Sequence, residues 1–191
     1  AFGPWAERRA AAFAAREEWL PIRRPDRNDP ERVYRHVPLG DLADLVLTDS
    51  RSRRDQPVAG GAMADPARTA LGPEQRTWLL DRLASSTAAW KLWGNPSVLS
   101  TTFRPALPED LVEPLRKLKL IHADQIACDQ DQWDGYPVER DAILAHVEQH
   151  GVRDLVVLSG DIHVGMALEV HRDPFAAAAT GAAPLAVELV T

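Results

Sequence analysis

Asp161 and His163 stand two residues apart, just after the apolar run Leu155-Val156-Val157-Leu158-Ser159 and Gly160. In extended backbone, side chains two apart point to the same side. A hard carboxylate oxygen and a borderline imidazole nitrogen at the carboxyl end of a buried strand make half of a metal site. The same residues also suit a turn-capping aspartate and an ordinary surface histidine. A second cluster, Asp49-Ser50-Arg51-Ser52-Arg53-Arg54-Asp55, follows the apolar run Leu45-Val46-Leu47-Thr48. Such abrupt switches from strand to charge are where α/β proteins carry functional loops. Arg51 and Arg54 could hold phosphate oxygens through bidentate guanidinium hydrogen bonds; the alternative is a solvated basic turn paired with Asp49 and Asp55. Asn95, in the turn Gly94-Asn95-Pro96, is either a turn residue or an oxygen donor to a metal or phosphate.

These residues belong to a chain of 191 residues, the size of one domain with a full core. With 45% hydrophobic and 26% charged residues the composition is globular, and a net charge of −6 gives no bulk electrostatic case for nucleic acid or an anionic membrane. One cysteine, Cys128, excludes an intrachain disulfide. No apolar run reaches the length of a membrane span or a signal-peptide core.

The elements that must position the site follow from periodicity and punctuation. Residues 4–19 read as a helix rich in Ala, Arg and Glu, with Phe13 and Trp19 contributing an apolar face and Pro21 and Pro25 ending it. Strands are expected at 33–37, 45–48 and 90–93. Between the last two, a Gly/Ala-rich loop at 58–69 leads into a helix opened by Pro73 and Glu74, with Trp78, Leu79 and Leu83 on its core face and Ser85-Ser86 closing it. Residues 97–130 are broken by Pro105, Pro108 and Pro114, with a short helix expected over 109–117. A helix at 138–150 buries Ile143, Leu144 and Val147 and is capped by Gly151. The run 155–159 reads as a strand buried on both faces. Residues 166–171 form another strand, 173–183 an Ala-rich loop, and 184–190 a last strand. Short strands ending in polar loops, with helices between them, make an α/β layered domain. The strands at 45–48, 90–93 and 155–159 are expected in one sheet, with their following loops meeting at one edge.

The order of motifs resembles the PhoD-like alkaline phosphatase family of the calcineurin-like metallophosphoesterases. Asp49-Ser50-Arg51-Ser52-Arg53-Arg54 resembles its Asp-Thr-Arg-x-x-Arg loop, and Leu71-Gly72-Pro73-Glu74-Gln75-x-x-Trp78-Leu79 its Leu-Gly-x-x-Gln-x-x-Trp-Leu helix. Trp90-Lys91 through Gly94-Asn95 is similar to the next strand and turn. Asp131-Gln132-Trp133-Asp134-Gly135-Tyr136-Pro137-x-Glu139-Arg140 is similar to a Trp-Asp-Gly-Tyr-Pro block, and Gly160-Asp161-Ile162-His163 to Gly-Asp-x-His. Each is weak alone; in this order, from about residue 45 to 165, they are specific. Departures are Arg53, where an aromatic is common, and Pro96-Ser97-Val98, where a polar residue usually follows the Asn.

The resemblance implies part of a four-layer α/β/β/α sandwich, truncated at both ends: the family's Trp-Asp-Asp-His-Glu metal block is expected before residue 1 and further strands after Val190. It implies a metal-dependent phosphoester hydrolase, phosphomonoesterase or phosphodiesterase, working through calcium and iron with a metal-activated water. Asp161 and His163 become the metal and catalytic residues, His163 the stronger ligand, and Asp161 a harder oxygen suited to calcium or ferric iron. Arg51, Asn95 and Asp134 become substrate-binding residues; Trp78, Trp90, Trp133 and Tyr136 are core or pocket wall. A secreted or periplasmic protein is implied. The 191 residues alone are expected to show little activity, weak metal affinity and marginal stability. A noncatalytic domain that keeps the fold is the alternative.

Overall fold

A computed structural model describes residues 3–58, 60–101, 114, 117, 130–160 and 162–191. The chain divides into two compact units, Ala1–Arg35 and His36–Thr191. The first carries helix α1, Trp5–Trp19, followed by irregular chain. Its helix buries no residue, and Trp19 is 83% exposed, so the expected apolar face does not form. Phe13 is only half-buried and lies under the Arg9 guanidinium at 5.6 Å.

The second unit is built on a six-stranded sheet in the order β1-β2-β3-β4-β6-β5. The strands are β1 (Arg35–Leu39), β2 (Ala43–Leu47), β3 (Trp90–Gly94), β4 (Leu155–Ser159), β5 (Met166–Val170) and β6 (Ala186–Val190). β1 lies two residues later than the 33–37 expected from sequence. β2, β3, β4 and β6 run parallel, with Leu45 opposite Leu92, Leu92 opposite Val156 and Val156 opposite Val187; β5 is antiparallel to β6. The three runs expected in one sheet are therefore adjacent strands of it. Helices α2 (Pro73–Ser85), α3 (Pro137–Gln149) and α4 (Pro174–Thr180) complete the unit. Proline at the start of each suits a first turn, where the missing N–H has no intrahelical partner.

α4 corrects the expectation of a loop over 173–183. Asp173 accepts hydrogen bonds from the backbone N–H groups of Phe175 and Ala176, and Gly181 ends the helix at φ 70°. An N-cap carboxylate and a left-handed glycine are enough to hold a short Ala-rich helix between them. The 109–117 helix expected from sequence lies almost wholly outside the described residues.

Leu79 and Leu83 of α2 and Ile143, Leu144 and Val147 of α3 pack with Val46, Trp93, Leu155 and Val157 in one core. The opposite sheet face is apolar but open: Leu158 is 38%, Val187 41% and Leu189 42% exposed. The expectation that β4 is buried on both faces is thus corrected. Leu155, Val157 and Ser159 face the helices while Val156 and Leu158 face outward. An uninterrupted apolar run arises here because both faces are apolar, with only one covered by described residues. Trp90, expected in the core or a pocket wall, is 48% exposed at the start of β3.

Candidate functional site at the carboxyl edge of the parallel strands

Parallel pairing brings the loops after β2, β3 and β4 to one edge of the sheet. Specific bonds then tie them together. The Asn95 N–H donates to the Leu158 carbonyl at 2.9 Å, and Thr48 N–H to Gly94 O at 3.0 Å. The hydroxyls of Ser50 and Ser97, one from each of two loops, lie 2.8 Å apart.

The loop after β2 is folded around Asp49. Its carboxylate accepts from the N–H groups of Arg51 (2.9 Å) and Ser52 (3.0 Å) and from the Ser52 hydroxyl. This side-chain-to-backbone turn uses the carboxylate locally, so Asp49 does not pair with the arginine side chains. Gln75 fixes the loop from outside: its Oε1 accepts from Asp49 N at 2.7 Å, and its Nε2 donates to Asp49 O at 3.0 Å and Leu71 O at 2.9 Å. A primary amide matches one residue's N–H and C=O together, which explains a fully buried glutamine on the apolar stripe of α2. The stripe carries the signal, a glutamine four residues before Leu79 where an apolar side chain belongs.

Arg51 and Arg54 both reach Asp131 rather than Asp49 or Asp55. Arg51 Nη1 donates to Asp131 Oδ2, Arg54 Nη2 to Oδ1 at 2.6 Å, and Arg54 Nη1 to the Asp131 carbonyl at 3.0 Å. Burial pushes Asp131 up, but hydrogen bonds and charge from the two guanidinium groups outweigh it and hold the carboxyl below its ordinary range. Arg54, Asp131, Ser50, Ser97, Trp133 and Tyr136 border a small cleft at this edge.

Asn95 is 2% exposed; its Nδ2 donates to Ser97 O at 2.6 Å and its Oδ1 accepts from Trp133 Nε1 at 3.2 Å. Both ends of the amide are engaged by protein groups, the arrangement of a residue that shapes the turn. Trp133 is buried against Trp93, edge to face at 6.0 Å. Asp134 is half-buried, and its charge helps keep the buried Arg140 protonated; burial pushes that arginine down, and Asp134 and Glu188 counter it. Tyr136 donates to Asp55 O at 2.5 Å, and burial raises its phenol above the ordinary value.

Gly135 explains the Trp-Asp-Gly-Tyr block in steric terms. A Cβ there would lie 2.2 Å from the Gln130 carbonyl oxygen and 2.9 Å from its carbon. Gly135→Ala is expected to destabilise the protein by roughly 1–3 kcal/mol, measured as a lower urea midpoint with an unchanged slope. An unchanged midpoint would remove the steric account of this glycine.

Four buried polar residues that the sequence did not announce as positioning groups hold the remaining backbone. Gln132 Oε1 accepts from Val98 N at 2.6 Å, and Arg140 Nε donates to Leu99 O at 2.6 Å. Glu188 on β6, 0% exposed, accepts from Leu99 N and Ser100 N at 2.7 Å and from the Ser159 hydroxyl at 2.5 Å. Glu139 accepts from the Thr69 hydroxyl at 2.8 Å and from Ala70 N, which fixes the chain entering α2. Burial is the larger influence on Glu139 and raises its carboxyl above the ordinary range despite those donors.

His163 follows β4 at the same edge, exposed and with φ 58°. Histidine is among the residues tolerated in the left-handed region, and such backbone is found disproportionately at functional sites. Asp161 lies outside the described residues. Among the described residues no three His, Cys, Asp or Glu side chains are grouped closely enough to hold a metal ion. Those residues alone therefore do not complete a metal site. His171 is half-buried: its side chain is 12% exposed and its carbonyl accepts from Arg140 Nη2 at 2.8 Å. It follows β5, which is antiparallel to β6 and pairs Val170 with Ala186, so it sits at the opposite edge of the sheet from the loops above.

Comparison with known proteins follows the same pattern. Alkaline phosphatase D of Bacillus subtilis (strain 168) is 30% identical over 175 residues, covering 87% of this chain and 27% of that protein. A solved structure described as "Structure of PhoD" superposes with a TM-score of 0.77 at 29% identity, covering 96% of this chain and 33% of the other. The chain thus spans a third or less of the length of these relatives. The model of the PhoD-like phosphatase family matches residues 2–191, nearly the whole sequence. On that match, and on the α/β fold shared with the solved relative, the chain belongs to the PhoD-like phosphatase family.

Proposed function

We propose that these residues form one flank of the active site of a metal-dependent phosphoester hydrolase, acting on phosphomonoesters or phosphodiesters in the full-length protein. The observation that carries the reading is the tying of the family's motif loops into one edge: Asn95 to Leu158, Ser50 to Ser97, Trp133 to Asn95. Family membership supports phosphoester hydrolysis in general. His163 and Asp161 are the proposed metal ligands, completed by residues beyond those described, with calcium and iron as the proposed ions. Metal ions bound there would supply Lewis acidity toward phosphoryl oxygens and an acidified water.

The chain's own groups then have separate tasks. Arg51, 36% exposed in its side chain, is the cation best placed to meet a phosphoryl oxygen, and Arg54, more deeply held by Asp131, fixes the loop that carries it. Asn95 and Asp134 act through Trp133 and Arg140, shaping the edge. A secreted or periplasmic location is proposed on the family resemblance.

A second reading has its own support. The two arginines are already paired with Asp131, an arrangement that also suits a domain keeping the fold without catalysis. The two are separated by assaying the full-length protein on p-nitrophenyl phosphate and bis(p-nitrophenyl) phosphate with calcium and ferric iron supplied. Turnover that a chelator abolishes and the ions restore is the expected result. Turnover indifferent to chelation would refute the metal-dependent mechanism, and no turnover under any metal would favour the noncatalytic reading.

A further inference from the structure

We propose that Asp131 is a specificity-determining residue of this edge, whose carboxylate favours singly charged phosphodiesters over doubly charged phosphomonoesters. The inference rests on the reading of the edge as a phosphoester site and names the class of substrate it prefers. Both arginines of the loop after β2 converge on this one carboxylate: Arg51 Nη1 donates to Oδ2, and Arg54 Nη2 donates to Oδ1 at 2.6 Å. Guanidinium groups bind carboxylate and phosphoryl oxygens through the same N–H donors. Asp131 therefore competes with a substrate for the same cation.

The two arginines are not held alike. Arg54 also donates from Nη1 to the Asp131 carbonyl at 3.0 Å, and its side chain is only 16% exposed. The Arg51 side chain is 36% exposed. A substrate anion thus meets Arg51 while Arg54 keeps the carboxylate in place, and the negative charge stays beside the anion. Asp131 is itself half-exposed and borders the cleft with Ser50, Ser97 and Trp133. Burial acts against its ionisation, but the two guanidinium groups outweigh burial and hold the carboxyl below its ordinary range. It is charged at neutral and alkaline pH alike.

That fixed charge discriminates between substrates. At about pH 8 a phosphomonoester carries close to two negative charges, whereas a diester carries one. Repulsion scales with the product of the charges, so the monoester meets about twice the repulsion from Asp131 for the same contact with Arg51. Solvent screens a half-exposed group, which makes the effect a few-fold rather than orders of magnitude. Other charges at the edge, such as Asp55 and Arg68, act on both substrates as well, but replacing Asp131 removes its contribution alone.

The test uses the full-length protein with calcium and ferric iron supplied. It compares kcat/KM for p-nitrophenyl phosphate and bis(p-nitrophenyl) phosphate, which share a leaving group. Asp131→Asn keeps the size of the side chain and an acceptor for Arg54; Asp131→Ser is a second neutral variant, and circular dichroism checks the folding of each. Either is expected to raise the monoester-to-diester ratio by about threefold or more, mainly through a lower KM for the monoester. Asp131→Glu keeps the charge and should leave the ratio near its original value. A residue that merely braced the loop would change both substrates alike. An unchanged ratio in the folded neutral variants, or an equal rise in Asp131→Glu, would overturn this proposal alone. Arg51→Gln with both kcat/KM values unaltered would instead remove Arg51 from the phosphoester site, and the proposal with it.

Discussion

Glu188→Ala is expected to lower the unfolding free energy by about 3–5 kcal/mol, a large part of what holds a domain of this size together. The carboxylate is completely buried in the middle of β6 and accepts from two backbone N–H groups and one hydroxyl. Alanine would leave Leu99 N and Ser100 N buried without acceptors, each worth about 1–3 kcal/mol, and would open a cavity as well. The damage would fall on the chain leaving β3 and on Ser159, directly before Gly160. Glu188→Gln keeps the volume and one acceptor but turns an amide NH2 toward a donor, so an intermediate loss is expected. Urea titration of both variants measures this; a loss below about 1 kcal/mol for the alanine variant would show that the buried carboxylate is dispensable.

Glu188 also shows where sequence reading reaches its limit. Strict alternation in Ala186-Val187-Glu188-Leu189-Val190 places the glutamate inward with Ala186 and Val190, a contradiction legible in the sequence. What it bonds to is not legible, because Leu99 and Ser100 lie 88 or more positions away. The same holds for Gln75 and Asp131: type and helix face are local facts, while partners 26 and 77 residues distant are set by packing. The parallel strands β2, β3 and β4 were legible because each ends abruptly in polar chain. α4 was missed because an alanine run between Asp173 and Gly181 has no apolar periodicity to distinguish it from a loop. The exposed Trp19 and Trp90 were misread because size and apolarity say nothing about which face of an element is covered. The pairing of Arg51 and Arg54 with Asp131 was missed in favour of the nearer Asp49 and Asp55, since proximity in sequence is a poor guide once a carboxylate can bond its own loop's N–H groups.

The largest effect on function is expected at His163. On the proposed function, His163→Ala in the full-length protein should lower phosphoester hydrolysis by orders of magnitude, because losing the proposed metal ligand would weaken both the ion and the water it acidifies. His163 stands exposed beyond β4, at the edge where the loops of β2, β3 and β4 are tied together. His171 is the matched control, since it lies past β5 at the other edge, with its carbonyl bound to Arg140. Its replacement should cost a little packing and leave turnover nearly unaltered.

The most direct test of the central reading is kcat together with bound calcium and iron for His163→Ala and His171→Ala, each checked for folding by circular dichroism. The account predicts that the folded His163→Ala protein loses metal and turnover together while His171→Ala keeps both; a folded His163→Ala protein with its full metal content and near-normal kcat would contradict it.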